Sequence, residues 1–141
     1  MEQKFIDLLE KGELKMWLDI STYCNAGCPA CHRTDRFRGG LHHEKWLPMV
    51  QWSLDQFKKA YSIEFLNQIK SWEICGTFGD PVMNKDLYEI CEYISTNSDT
   101  KVNIDTNGSI RNAAWWTKLG KLPGVAVDFA VEGITQEMQN Y

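Results

Sequence analysis

No stretch of the sequence approaches the roughly 18 to 20 consecutive apolar residues that a membrane-spanning helix needs. The opening run, MEQKFIDLLEKGELK, has acidic residues where a secretory signal would have a basic end and an apolar stretch. A soluble, cytoplasmic protein is the expectation. A basic excess is missing too: 15 Lys and Arg face 19 Asp and Glu, for a net charge of −4. Neither nucleic acid nor an anionic membrane surface is therefore expected as a partner. There are no internal repeats, low-complexity tracts or interdomain linkers, and 141 residues leave room for one domain with a real core. Nor do the cysteines form a disulfide framework. Their number, five, is odd, and Cys24, Cys28 and Cys31 fall within eight residues while Cys75 and Cys91 stand alone in apolar surroundings.

What is present is a globular balance, 43% apolar and 24% charged residues. Strand-like runs alternate with helical ones. Leu14, Met16, Leu18 and Ile20 alternate with polar neighbours and Trp17, which marks a strand ending just before the first clustered cysteine. Further strands are predicted near Ser71 to Gly76, over Lys101 to Thr106, and from Val125 to Val131. A helix from about Glu2 to Lys11 precedes the first strand. Leu54, Phe57, Tyr61 and Phe65 define one helical stripe, opened by a Ser53/Gln56 capping box. Leu87, Ile90, Cys91 and Ile94 define a second stripe, and Trp116 and Leu119 a third that Gly120 and Pro123 stop. The polar segment from Arg33 to Leu47 reads as loop or lid.

This order implies parallel strands joined by right-handed crossovers, an α/β fold. Helices on both faces of a parallel sheet call for strands that are apolar throughout. Here Asp19, Glu73, Asn103, Asp105, Asp128 and Glu132 share the other face. That pattern predicts an open, curved barrel wall, with helices outside and a wet or ligand-lined interior; a flat sheet with one solvated face is the alternative. Four strands would leave two open parallel edges, which proteins normally cover, so a fragment of a larger domain is expected.

Cys24-Asn25-Ala26-Gly27-Cys28-Pro29-Ala30-Cys31 is a C-x3-C-x2-C loop at the end of the first strand. Three thiolates so close can converge on one centre, and soft thiolates select zinc or an iron–sulfur cluster. Zinc would take a fourth ligand from His32, His42 or His43. A [4Fe–4S] cluster held by three cysteines keeps one iron open to a substrate or cofactor. A thioredoxin-like pair at Cys28 and Cys31 is disfavoured by the third cysteine. Cys75 and Cys91 read as small buried hydrophobes.

The segment ISTYCNAGCPACHR resembles the signature of the radical S-adenosylmethionine (SAM) enzymes. By that resemblance Cys24, Cys28 and Cys31 ligate a [4Fe–4S] cluster, with SAM chelated to the unique iron. Gly76-Thr77-Phe78-Gly79-Asp80-Pro81 resembles the family's Gly-Gly-Glu-Pro stretch, which meets the SAM amino group. Gly79, Asp80 and Pro81 match in position, while Phe78 replaces the first glycine and Asp80 the glutamate. Taken alone, this is an ordinary strand-to-helix turn with Asn84 capping the next helix. Thr106-Asn107-Gly108 resembles the family's Thr-Asn-Gly, although Asn-Gly by itself marks only a tight turn. Phe129 to Gly133 resembles its Ser-x-Asp-Gly ending, with Ala130 at the serine position and Glu132 within reach of a ribose hydroxyl or simply solvated.

The resemblance runs from about Leu14 to Tyr141 and covers the N-terminal four strands of a partial six-unit (βα) barrel. It implies that residues 1–141 are the N-terminal portion of a radical SAM core domain, without the later barrel units, the arginine that follows a tyrosine like Tyr141, or any auxiliary-cluster cysteines. The implied activity is one-electron reduction of SAM to methionine and a 5′-deoxyadenosyl radical, which abstracts hydrogen from a substrate the sequence does not identify. A donor such as a flavodoxin or ferredoxin would supply the electron. His32 and Arg33 are expected to solvate the loop rather than tune the cluster, and Trp115 and Trp116 to pack the third helix. The alternatives are a zinc-stabilised binding module and a cluster-binding remnant without turnover.

Overall fold

Apolar residues on alternate positions build four strands: β1 (Leu14–Asp19), β2 (Ile69–Cys75), β3 (Lys101–Thr106) and β4 (Val125–Phe129). The computed structural model describes residues 2–35, 37–38, 42–131, 133 and 135–139. All three strand pairings are parallel, and the strands lie in the order β1-β2-β3-β4. Because the order never reverses, every crossover proceeds the same way around the sheet. That is the winding of a barrel wall, whereas a doubly wound sheet reverses at a switch point. The chain is an α/β fold consistent with a partial barrel.

Helices α1 (Glu2–Glu10), α2 (Leu54–Ala60), α3 (Ile63–Leu66), α4 (Leu87–Asn97), α5 (Ala113–Leu119) and α6 (Gln136–Gln139) complete the described elements, with a 3-10 turn at Pro81–Met83. No helix among the described residues is long and apolar enough to cross a membrane. The core joins Trp72, Ile74, Val102 and Ile104 of the strands to Phe57, Leu66, Leu87, Ile90, Cys91, Ile94 and Leu119 of the helices, all with no exposed surface. The opposite sheet face is open, with Trp17 67% exposed. Its polar residues bond among themselves. Asn103 Nδ2 donates to both Glu73 carboxylate oxygens at 3.1 and 2.9 Å, and the Ser71 hydroxyl donates to Glu73 at 2.8 Å.

Ser53 and Gln56 form the expected capping box at α2. The single helix predicted across Leu54 to Phe65 is instead two. Tyr61 takes an extended conformation, and the Ser62 side chain accepts the Phe65 amide to start α3. A serine hydroxyl competes for backbone donors and favours a cap over a helix interior. The apolar stripe survives the break, since Tyr61 and Phe65 stack at 5.7 Å. Strand β4 ends at Phe129 rather than Val131, which is 68% exposed. Trp115 and Trp116 pack edge-to-face at 4.9 Å, and Trp116 meets Phe129 at 5.1 Å.

Candidate functional site

Three loops leave the C-terminal ends of β1, β2 and β3 and meet around a cavity of about 620 Å³. Cys24, Cys28, Cys31, Gly79, Asp80, Thr106 and Asn107 all line it, as does Ala130 beyond β4. Pro81 does not; it is buried at the start of the 3-10 turn. Glu132 lies outside the described residues.

Close backbone packing brings the first two loops together. A Cβ on Gly79 would be driven into the Ser21 carbonyl, and one on Gly76 into the Gly79 carbonyl. The Asp80 amide donates to the Tyr23 carbonyl at 2.7 Å, one residue before Cys24. Asn84, with no exposed surface, donates through Nδ2 to the carbonyls of Ile20 and Trp52 at 2.7 and 2.9 Å. It thus braces the end of β1 from below. The helix after it starts at Asp86 without a side-chain cap; Asn84 Oδ1 accepts the Asp86 amide at 2.8 Å, so Asn84 holds the turn before α4 rather than capping the helix as the alternative reading had it.

The Asp80 carboxylate is 5% exposed and already has protein donors. Oδ1 accepts the Val82 amide at 2.9 Å and the Thr106 hydroxyl at 2.7 Å, and Oδ2 accepts the Asn107 amide at 2.8 Å. Asp80 therefore locks the loop after β2 to the loop after β3. Asn107 continues the chain of contacts. Its Nδ2 donates to Asn25 Oδ1 at 3.2 Å and to Cys24 Sγ at 3.8 Å, while Asn25 Nδ2 donates to the Ser109 hydroxyl at 2.7 Å. One polar lattice fixes the three loops relative to one another.

Cys24 also receives the Ala26 amide at 3.4 Å. Burial pushes its thiol above the usual range; the Ala26 N–H and the Arg33 charge pull the other way, and the Asp80 and Cys28 charges add to the rise. The cysteine loop is closed from behind by the segment after it. Thr34 donates its amide to Cys31 O at 3.0 Å and its hydroxyl to Cys28 O at 3.0 Å, and it bridges to His43. Arg33, Thr34 and Asp35 are buried there. Arg33 thus does not solvate the loop as its sequence context implied. Residues 33–35 turn inward because Arg33 O and the Asp35 amide pair with Glu44 and His42 across the fold-back.

Cys75 joins the cavity lining as a fourth thiol, half-buried rather than part of the core. Burial first, and then the Asp19 carboxylate beside it, push its pKa to about 11. Its parity with Glu73 on the polar face was the signal in the sequence. Cys91 is buried in the core, as read.

The donor set suits a thiophilic centre. Motif thiols share one cavity mouth, the Asp80 carboxylate in its lining is occupied by its own donors, and the space falls within the range of small-molecule sites. As placed, no three His, Cys, Asp or Glu side chains among the described residues stand close enough to grip one ion. A zinc site completed by a histidine therefore has no preformed geometry here either.

No family model matches the chain, and no curated protein matches it. Among solved structures, it is similar to Streptococcus suis SuiB, determined bound to the precursor peptide SuiA, with 16% identity and a TM-score of 0.67. The match covers 96% of this chain but only 29% of SuiB, so the likeness is one of fold, over less than a third of the larger protein.

Proposed function

We propose that this chain is the cluster-binding part of a radical SAM enzyme. Cys24, Cys28 and Cys31 would hold a [4Fe–4S] cluster, and the cavity beside them would take S-adenosylmethionine. The observation that carries the proposal is that the three motif thiols and the loops after β2 and β3 line one cavity, at the C-terminal ends of a singly wound parallel sheet. Ligands of α/β folds bind at that end of the strands.

When bound, the cluster and SAM supply reductive cleavage of the sulfonium carbon–sulfur bond. The protein's part is placement. The cysteine loop, with Gly27 and Pro29 to bend it, must draw its sulfurs together around the metal. Asn107 and Ala26 offer N–H donors to Cys24 Sγ. Such bonds to a ligand sulfur set both its orientation and the reduction potential. Asp80 acts chiefly as a strut, so the amino group of SAM would be met by loop carbonyls and by the remaining acceptor capacity of Oδ2. Ala130 leaves open space where a serine would stand. A flavodoxin or ferredoxin would deliver the electron, and the substrate would be gripped largely by parts beyond this sheet.

Anaerobic reconstitution with iron and sulfide, followed by metal analysis and a 5′-deoxyadenosine assay, tests the proposal. Iron and sulfide bound together support it, and nucleoside release supports catalysis by this chain. Zinc with no iron would establish a binding module instead.

A further inference from the structure

Arg33 is 4% exposed, yet its Nη1 has no hydrogen-bond partner. Nε makes one long contact, to the Thr22 carbonyl at 3.4 Å. Among the described residues no carboxylate lies within ion-pair distance of it, although Arg38 close by is paired with Asp35 at 2.6 Å. A guanidinium cannot shed its proton, and burying it without a counter-charge is costly. Among the described residues, then, Arg33 carries a permanent positive charge that no carboxylate pairs.

Its position is specific. Arg33 follows Cys31 by two residues, and its side chain returns to Thr22, two residues before Cys24, so it spans the base of the whole cysteine loop. It does not line the cavity, so it lies outside the space a diffusible ligand would enter, yet near enough to Cys24 for its charge to act on that thiol. Resting on the cluster-binding proposal above, we infer that Arg33 is the built-in counter-charge of the cluster and sets its reduction potential. Three thiolates and a [4Fe–4S] core carry net negative charge, and one further electron increases it. A buried cation beside the cysteine loop stabilises the reduced form more than the oxidised one. The same pairing gives the orphaned guanidinium its missing partner. Arg33 is thus a positioning and tuning residue, not a ligand and not a catalytic group.

The test is an EPR-monitored redox titration of the reconstituted full chain beside Arg33→Gln and Arg33→Lys, with iron content and far-UV circular dichroism as controls. Removing the charge should cut the reduced-to-oxidised ratio at a fixed potential about tenfold, a midpoint about 59 mV more negative for a one-electron couple. Arg33→Lys keeps the charge and should stay near wild type. A folded, cluster-loaded Arg33→Gln with the wild-type midpoint overturns the inference while leaving the cluster proposal standing. If Arg33→Gln does not fold, Arg33→Lys decides: a wild-type midpoint supports the counter-charge, and a midpoint displaced as far as tenfold overturns it. Failure of the wild-type chain itself to take up iron and sulfide overturns both.

Discussion

At the scale of single residues, the side chains that hold this site together are polar groups satisfied by one another. Asp80 is the clearest case. Asp80→Ala would strand the Val82 amide, the Thr106 hydroxyl and the Asn107 amide, and should cost roughly 2–4 kcal/mol in urea unfolding. A variant as stable as wild type would mean that the strut carries no weight. The sequence pointed to Asp80, Thr106 and Asn107 as residues facing a cofactor, but not to the bonds among them. Those partners stand 26 and 27 residues apart and meet only once the sheet is paired. Arg33 was misread for a related reason: a polar residue in a polar segment looks solvated until the fold-back at His42 and Glu44 is known. Cys91 allows a pH test. Burial raises its thiol pKa from 9.0 to about 12, so between those values the unfolded chain has lost a proton that the folded chain keeps. Stability is then fully present below about pH 9 and falls as pH rises toward 12, by at most on the order of 4 kcal/mol from this group. Denaturation series across that range should fall less steeply for Cys91→Ala than for wild type; parallel slopes would refute the assignment.

At the scale of elements, period-two and helical spacing located all four strands and the main helices, because one apolar face per element is what burial demands. The ends were less legible. The stripe through Leu54, Phe57, Tyr61 and Phe65 continues across a helix break, since packing fixes which residues face inward but not whether the backbone stays helical between them. The break is written only in Ser62, whose side chain could as well have pointed to solvent. The capping box at Ser53 was readable because both its members are local. Ser53→Ala removes the acceptor for the Gln56 amide and should lower stability by about 1 kcal/mol in thermal or chemical unfolding, whereas an unchanged midpoint would show α2 to be held by packing alone.

At the scale of the whole molecule, one face of the sheet is a packed core and the other is open. Two tryptophans on neighbouring strands report this difference. Trp72, with no exposed surface, packs against Phe57 at 5.5 Å and Tyr61 at 4.8 Å, while Trp17 on the opposite face is 67% exposed. Trp72→Ala should cost about 3–5 kcal/mol and Trp17→Ala within about 0.5 kcal/mol. Similar losses at both sites in equilibrium unfolding would mean that the inner face is covered in solution. The polar alternation along the strands made that open face legible, and the cysteine spacing made the loop above it legible. The lattice joining the loops was not, since it depends on register between strands.

All of the chemistry proposed rests on whether Cys24, Cys28 and Cys31 share an iron–sulfur centre that meets S-adenosylmethionine. The most direct measurement is the EPR spectrum of the anaerobically reconstituted, reduced chain, recorded with and without S-adenosylmethionine. A reduced [4Fe–4S] signal that changes shape when S-adenosylmethionine is added, and that is lost in Cys24→Ser, is the outcome expected. A silent spectrum with zinc in the protein, or a cluster signal indifferent both to S-adenosylmethionine and to the Cys24→Ser substitution, would contradict it.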